Sequence, residues 1–390
     1  MKVALLLSGG VDSSLALRLL RDEGFDVTPF YLKIWLEDEL SFLGECPWEE
    51  DLSYARAICD QLNLPLEVIN LQREYRDAVV AYTISSVKAG RTPNPDILCN
   101  SRIKFGVFMD KIGAEFDMIA SGHYARVLHQ DERSLLFCAP DPIKDQTYFL
   151  AGLNQAQLKK AYFPLGLMDK TQVRQLAHEY DLATKARKDS QGICFLGKIS
   201  FREFIKAQVG EKVGEIREHE TGLLLGQHTG FWFYTIGQRQ GLRLAGGPWY
   251  VVSKDTIQNI VYVSREYYTS DKARSSFFIE ECNWIGNNGP PDFDASNLDP
   301  SRRHFMPLSA NGKENQDVRQ QKTLMANDSE NNNIMLEVKL RHGPNRHACQ
   351  IVQSGDQIQV ILADNDQGIA PGQFAVFYSG QQCLGGGVII

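Results

Sequence analysis

The chain has 390 residues, enough for two or three domains with cores of their own. Hydrophobic residues make up 43% and charged residues 23%, the balance of a soluble globular protein, and no run of about 18 apolar residues offers a membrane-spanning helix. A formal net charge of −7 argues against indiscriminate nucleic-acid binding but leaves room for a local basic face.

In chain order, KVALLL (2–7) is an apolar run of strand length. No small-residue cleavage site accompanies it and it gives way at once to Ser, Gly and Asp, so it is not read as a signal peptide, and a cytoplasmic location is expected. SSLALRLLRDEGF carries apolar residues at helical spacing, with Gly24 as its stop. DVTPFYLKIW reads as a second strand. EEDLSYARAICDQLNL is a helix with Leu52, Ala55, Ile58, Cys59 and Leu62 on one side, and PLEVINL a third strand. EYRDAVVAYTISSVKAG is a longer helix. A helix near 101–113 and the strand FDMIASGH follow. Strands alternating with helices predict an α/β, doubly wound parallel-sheet domain over 1–200.

Beyond residue 200 the texture changes. Gly, Thr and aromatics dominate GEIREHETGLLLGQHTGFWFYTIGQRQGL, and GGPWYVVSKDTIQNIVYVS has the pattern of a hairpin, so 205–270 is expected to be a small central β-containing domain. Short strands resume in 275–390, predicting a C-terminal β-barrel. Residues 287–333, with nine asparagines and no periodicity, have the composition of a disordered insertion.

Eight cysteines (Cys46, Cys59, Cys99, Cys138, Cys194, Cys282, Cys349, Cys383) are widely and irregularly spaced, with no CxxC pair to suggest zinc. In a reducing compartment, most are expected to be buried thiols. Lys185, Arg187 and Lys188 form a basic cluster that reads first as solvated surface.

LLLSGGVDSS (5–14) has a strand end, a Gly-rich turn and a helix start. Glycines let the backbone approach a phosphate, free N–H groups at the helix N-terminus bind the anion, and Ser8 and Ser13 add hydroxyls. No Lys follows, so this is not a Walker A loop. In RTPNPDILCNSRIKF (91–105) the prolines oppose helix until Asn100 or Ser101 can cap one. Cys99 would then sit beside a helix N-terminus, with Arg102 and Lys104 near in sequence, and both influences favour a thiolate. Asp96 could move a proton. Cys194, in KARKDSQGICFLG, also follows cations.

SGGVDS resembles the pyrophosphate loop of the ATP pyrophosphatases. With TPNPDILCN, ASGHYAR, KDQTYFL, KDSQGICFLG, GQHTGFWFYTIGQRQGL and PGQFAVFY, the chain resembles the tRNA-specific 2-thiouridylases, in family order over nearly its whole length. The resemblance implies that Leu6, Leu7, Ser8, Gly9, Gly10, Val11, Asp12, Ser13, Leu32 and Gly122 bind ATP, with Asp12 on Mg²⁺ or pyrophosphate. It implies that the 2-carbonyl of the wobble uridine is adenylated and then attacked by sulfur carried as a persulfide on Cys194, supplied by a cysteine desulfurase or sulfur relay. Cys99 would be the partner nucleophile, leaving a Cys99–Cys194 disulfide. Asp96 would bind the base edge or act as acid/base. Asn94, Pro95 and Asp96 would hold the flipped uridine, and His123, Lys144, Asp145, Gln146, Arg341, His342 and Gln373 would contact tRNA, the family implying acceptors for Glu, Gln and Lys. His342 stands where the family usually has Tyr. Two other readings account for less of the sequence: a small-molecule amidotransferase or ligase leaves both cysteines idle, and a non-catalytic RNA-binding protein leaves the ATP loop without use.

Overall fold

The computed structural model describes residues 1–34, 47–130, 132–189, 199–269, 272–286, 336–354 and 357–390. The insertion expected at 287–333 lies outside them, as does Cys194.

The chain first lays down β1 (Lys2–Leu6), buried from Val3 onward, then α1 (Val11–Asp22), whose Val11, Leu15, Ala16 and Leu20 face the core. β2 (Asp26–Lys33), α2 (Pro47–Leu62) and β3 (Glu67–Asn70) continue the alternation. A long helix, α3 (72–88), and a second, α4 (95–112), lead to β4 (Met118–Ser121). β5 (Ala125–Gln130) and β6 (Arg133–Cys138) form a hairpin. Short helices α5 (Thr147–Leu150) and α6 (Gln155–Lys160), strand β7 (Ala161–Tyr162) and helix α7 (Lys170–Glu179) follow. The sheet order is β3-β2-β1-β4-β7, parallel throughout. Strand order reverses at β1, so the crevice at the carboxyl ends of β1 and β4 is the switch point where such sheets bind ligands.

The expectation for α4 needs correction. The helix starts at Pro95, not near 101. Asn94 caps it, accepting from the N–H groups of Asp96 (3.2 Å) and Ile97 (3.4 Å). Proline at the first helical position lacks only a donor that would be orphaned anyway, so Asn-Pro starts this helix rather than delaying it. From Cys99 to Val107 the helix widens to π winding, a distortion frequent at functional sites.

Helix α8 (Phe201–Val209), opened by a Ser200–Glu203 capping box, leads to the middle sheet. There β8 (Gly214–Glu218), β9 (Leu224–His228), β10 (Tyr250–Asp255) and β11 (Ile260–Ser264) pair in the order β10-β11-β8-β9 around Ile216, Phe231, Trp249, Val251 and Val261.

The last strands are β12 (Arg274–Trp284), β13 (Leu336–Lys339), β14 (His347–Ser354), β15 (Gln357–Asp366), β16 (Phe374–Ser379) and β17 (Gln382–Ile389). Antiparallel pairing in the order β12-β15-β14-β13-β16-β17 closes through β12–β17 into a six-stranded barrel. β6 adds to β17, pairing Phe137 with Gln382 and Leu136 with Cys383. The hairpin therefore sits in the barrel's sheet rather than the parallel one. One apolar core runs from Ala4, Leu6 and Phe30 through Tyr148 to Phe374, Tyr378 and Val388. Within that junction, Lys339 of the barrel ion-pairs with Asp145 at 3.2 Å, each side chain only 3% exposed.

Candidate active site

The Ser8–Gly10 turn fills the switch-point crevice. Gly9 has φ +74° and a Cβ there would lie 2.3 Å from the Asp51 carbonyl, so only glycine fits. The Arg187 guanidinium donates to the Gly9 carbonyl at 2.7 Å, ion-pairs with Asp51 and covers the Tyr54 ring at 4.6 Å. Arg187 is thus a brace for the loop, not the solvated charge its sequence cluster suggests. The Ser13 hydroxyl lies 3.2 Å from both the Ser8 N–H and the Ser8 hydroxyl. Gly10 caps α1 without any side-chain partner, leaving the helix N-terminus uncapped by a side chain. Gly122, at the end of β4, presses on that terminus: a Cβ would lie 2.8 Å from the Ser13 nitrogen.

Asp12, one residue into α1, is tightly held. Tyr124 donates to Oδ1 at 2.7 Å, and the Lys170 ammonium meets Oδ1 at 2.7 Å and Oδ2 at 2.9 Å. Burial, then the Asp12 charge, pushes the Tyr124 phenol well above its ordinary pKa, so it stays a donor. Lys170 also pairs with Asp189 at 2.9 Å, which Lys144 meets at 2.8 Å and Arg174 contacts as well. Burial opposes the charge on Asp189, but hydrogen bonds from Lys144 and Lys170 prevail and hold the carboxyl far below the usual range.

Leu32 is a partly buried side chain on β2, packed against the larger core. His123, beside Gly122, shares a 2.7 Å hydrogen bond with the Ser121 hydroxyl and packs against Phe105 of α4 and Phe163. Desolvation, then Lys104, lowers its pKa well below the ordinary imidazole value. Through this contact the crevice at the Ser8–Gly10 turn adjoins the helix that carries Asp96 and Cys99.

A second cluster lies where α4 meets the barrel. The Thr92 N–H donates to the Pro371 carbonyl at 2.7 Å, and Gly372 packs against Arg91 and Thr92 so closely that a Cβ would lie 2.7 Å from that of Arg91. The Tyr148 hydroxyl donates to the Phe374 carbonyl at 3.0 Å, and the Asn94 side chain lies near it. The His342 ring tilts over Phe149 at 4.6 Å. Burial, then Lys339, lowers the His342 pKa against the opposing charges of Asp145 and Asp96. Asn94, Asp96, Phe149, His342 and Gln373 therefore converge. Asp96 Oδ1 and Gln373 Oε1 are both buried without a hydrogen-bond partner, as is Asn100 Oδ1 one turn on. Buried acceptors left unpaired are costly and call for a ligand or a water. Arg341, adjacent to His342, pairs with Asp366 at 2.6 Å.

Comparison with known proteins follows these contours. Residues 1–198 match the profile described as tRNA methyl transferase HUP domain, 202–265 the tRNA methyl transferase PRC-barrel domain, and 317–389 the aminomethyltransferase beta-barrel domain. Full-length relatives include the tRNA-specific 2-thiouridylase MnmA 1 of Bacteroides thetaiotaomicron, 41% identical over 392 residues, covering 100% of this chain and 99% of the relative. The tRNA-specific 2-thiouridylase MnmA of Parabacteroides distasonis is 40% identical with the same coverage. This chain belongs to the tRNA-specific 2-thiouridylase family. Among solved structures, an NMN synthetase from Francisella tularensis aligns with 54% of this chain and 77% of its own, at a TM-score of 0.32 and 17% identity.

For a 2-thiouridylase, two expected residues sit differently from their sequence reading. Cys99 lies in the second turn of α4, 1% exposed within the core, beyond the first turn where the helix dipole acts most strongly. Arg102 donates to the Ala78 carbonyl at 3.2 Å. Asp145 is 2% exposed and committed to Thr147 and Lys339, so its side chain faces the barrel rather than solvent. Gln146 accepts from the Tyr124 N–H at 3.0 Å, which ties it to the phenol on Asp12. Sequence reasoning missed Lys170, Tyr124, Arg174 and Asp189. Lys170 is 158 residues from its Asp12 partner, and no local pattern marks it.

Proposed function

We propose that the chain is an ATP-dependent tRNA sulfurtransferase that converts the 2-carbonyl of the wobble uridine (position 34) to a thiocarbonyl, releasing AMP and pyrophosphate. The observation that carries this reading is the pairing of a braced phosphate loop with an aromatic-walled cluster bearing unpaired buried acceptors, in a chain matched end to end by 2-thiouridylases. Methyl transferase appears in two profile descriptions, but transfer of a methyl group makes no use of a pyrophosphate loop.

An amide-type carbonyl has a very poor leaving oxygen, and adenylation turns that oxygen into AMP. The N–H groups of Ser8–Ser13 bind the phosphates, with Leu6, Leu7, Leu32 and Gly122 shaping the nucleotide site. Lys170, now neutralising Asp12, supplies the mobile positive charge that the loop itself lacks. Mg²⁺ was expected at Asp12, yet both oxygens of that carboxylate already meet the Lys170 ammonium, and the described residues include no group of three acidic, Cys or His side chains poised for a metal. The residues present do not fit the ion while Lys170 stays, and no step is assigned to it.

Asn94, Pro95, Asp96, His342 and Gln373 receive the flipped base. An acceptor at Asp96 or Gln373 pairs with the uracil N3–H, a donor that cytosine lacks. His123, Lys144, Gln146 and Arg341 support the RNA around it, and Asp145 serves by fixing the barrel. Cys194 carries the persulfide, loaded by a cysteine desulfurase or sulfur-relay protein. As the terminal sulfur bonds to C2 and AMP leaves, Cys99 Sγ bonds to Cys194 Sγ and the bond from Cys194 to the transferred sulfur breaks. The resulting disulfide needs a dithiol reductant each cycle. The substrates are tRNAs for Glu, Gln and Lys, and the site of action is the cytoplasm. The chain divides into 1–200, 205–270 and 275–390, the last carrying the insertion at 287–333.

Purified protein with ATP, a persulfide donor and anticodon stem-loops, read by mass, tests the reading. Oxygen-to-sulfur exchange is expected. A methyl-sized gain, or AMP release indifferent to RNA, would overturn it.

A further inference from the structure

Tyr250 opens β10, and Tyr267 and Tyr268 follow β11. The Tyr250 and Tyr267 rings stack face to face, 4.6 Å apart and 13° from parallel. Tyr268 stands edge-on to both, at 5.7 Å and 5.2 Å, and is 72% exposed. Tyr267 is buried, its hydroxyl so close to Gly237 that a Cβ there would lie 2.7 Å away, with Gly368 of the barrel on the same side.

Tyr268 is therefore not a stray apolar residue on a surface. Its ring is fixed by two others, one of them anchored in the seam between middle sheet and barrel. The exposed Arg239 is near enough to Tyr268 to act on it electrostatically, whereas at Tyr267 the Asp366 carboxylate acts ahead of Arg341, its ion-pair partner. Arg341 also continues directly into His342, whose ring lines the Asp96 cluster. A rigid aromatic face with a guanidinium nearby is the chemistry that holds an unpaired nucleobase and its phosphate, and a preordered ring loses little freedom on binding.

We propose that Tyr268, seated on the Tyr250–Tyr267 stack with Arg239 nearby, is a stacking platform for an unpaired anticodon-loop base next to the uridine entering the Asp96 cluster. The proposal rests on the tRNA reading above and adds a second point of contact to it. Flipping one nucleotide out of a loop unstacks its neighbours, and the platform gives one of them a new stacking partner.

The test uses the full chain and anticodon stem-loops carrying 2-aminopurine at each position flanking the target uridine. Quenching on binding is expected for one of the two. Tyr268→Ala should abolish that quenching and weaken binding about tenfold. Tyr268→Phe keeps the ring and should bind within about twofold of wild type. Arg239→Ala should reduce the slope of log affinity against log salt by about one. Unchanged affinity and quenching in Tyr268→Ala, with binding weakened by Asp96→Ala, overturns the platform and leaves the tRNA reading standing. Weaker binding in Tyr268→Ala with no quenching at either flanking base overturns the assignment to the anticodon loop. Wild-type protein that binds no stem-loop overturns both.

Discussion

Gly122→Ala adds one methyl group at the place where β4 presses on the start of α1. The new Cβ would lie 2.8 Å from the Ser13 nitrogen, 2.9 Å from the Asp12 carbonyl carbon and 3.1 Å from the Ser13 Cα. Such contacts settle at about 3.5 Å or more, so roughly 0.7 Å must be found between two backbones. Neither yields easily: Ala120 and Ser121 pair with Leu5 and Leu6 of β1, and Ser13 and Ser14 are buried. Overpacking of this kind costs about 1–3 kcal/mol. Since the atoms displaced are those of the α1 N-terminus, most of the cost should appear as weaker ATP binding, about 5- to 100-fold. The remainder should appear as a fall in Tm of about 2–4 °C per kcal/mol. Calorimetric titration with ATP and a thermal melt measure both, and Gly10→Ala is the comparison. Its Cβ would meet only the Ser8 hydroxyl, at 3.5 Å, so the melt should not move. Gly122→Ala with wild-type ATP affinity and wild-type Tm would refute the claim that this glycine sets the geometry of the anion site.

Removing one partner of the buried Lys339–Asp145 pair, as in Lys339→Ala, should destabilise the protein by about 3–5 kcal/mol, measured by urea denaturation, whereas Lys339→Met with Asp145→Asn should recover much of the loss. Lys170→Ala should weaken ATP binding about 10-fold or more through loss of a charged phosphate contact, and ATP titration at constant ionic strength reads it directly. Cys99→Ser and Cys194→Ser should each abolish thiolation by mass while tRNA binding stays at wild-type strength. His228 is 3% exposed and accepts the Gly230 N–H on Nδ1 at 2.9 Å. Desolvation lowers its folded pKa, against an opposing backbone contact from Asn259. Below the unfolded value of about 6.5 the unfolded chain binds a proton that the folded chain refuses. Stability should therefore fall as pH drops through that range, and His228→Gln should flatten this slope in melts from pH 7 to pH 5.

The strand, Gly-rich turn and helix of residues 2–22 were legible because their signal is local, within a few residues. The barrel strands were legible from their β-rich runs between turns. Asn94-Pro95 misled because an X-Pro pair reads as an interruption, while here it is a cap and a first helical residue. The β5–β6 hairpin left no trace of its destination, since its partner strand β17 lies far along the chain. Lys170 and Asp189 were hidden for the same reason: ion pairs of this kind obey space, not spacing. Arg187 was visible as a charge, but only the Gly9 carbonyl and Asp51 reveal its task. The seam at Asp96 came from motif resemblance, and its physical content, the unpaired acceptors and the tilted His342–Phe149 pair, needed coordinates.

The pairing of β6 with β17 has a consequence for synthesis on the ribosome. The Ser8–Gly10 turn and its braces are complete once α7 and the segment through Asp189 have emerged, but the edge of β6 stays open until β17 is made. A nascent chain thus holds a formed crevice at the Ser8–Gly10 turn beside an unpaired strand edge for about half of its translation. Gln373 and His342 also arrive late, so under the proposed function a chain cut short before the barrel would have the ATP site and no base pocket. Competence for RNA chemistry is the last property this polypeptide acquires, and ribosome-bound intermediates should bind nucleotide well before they recognise tRNA.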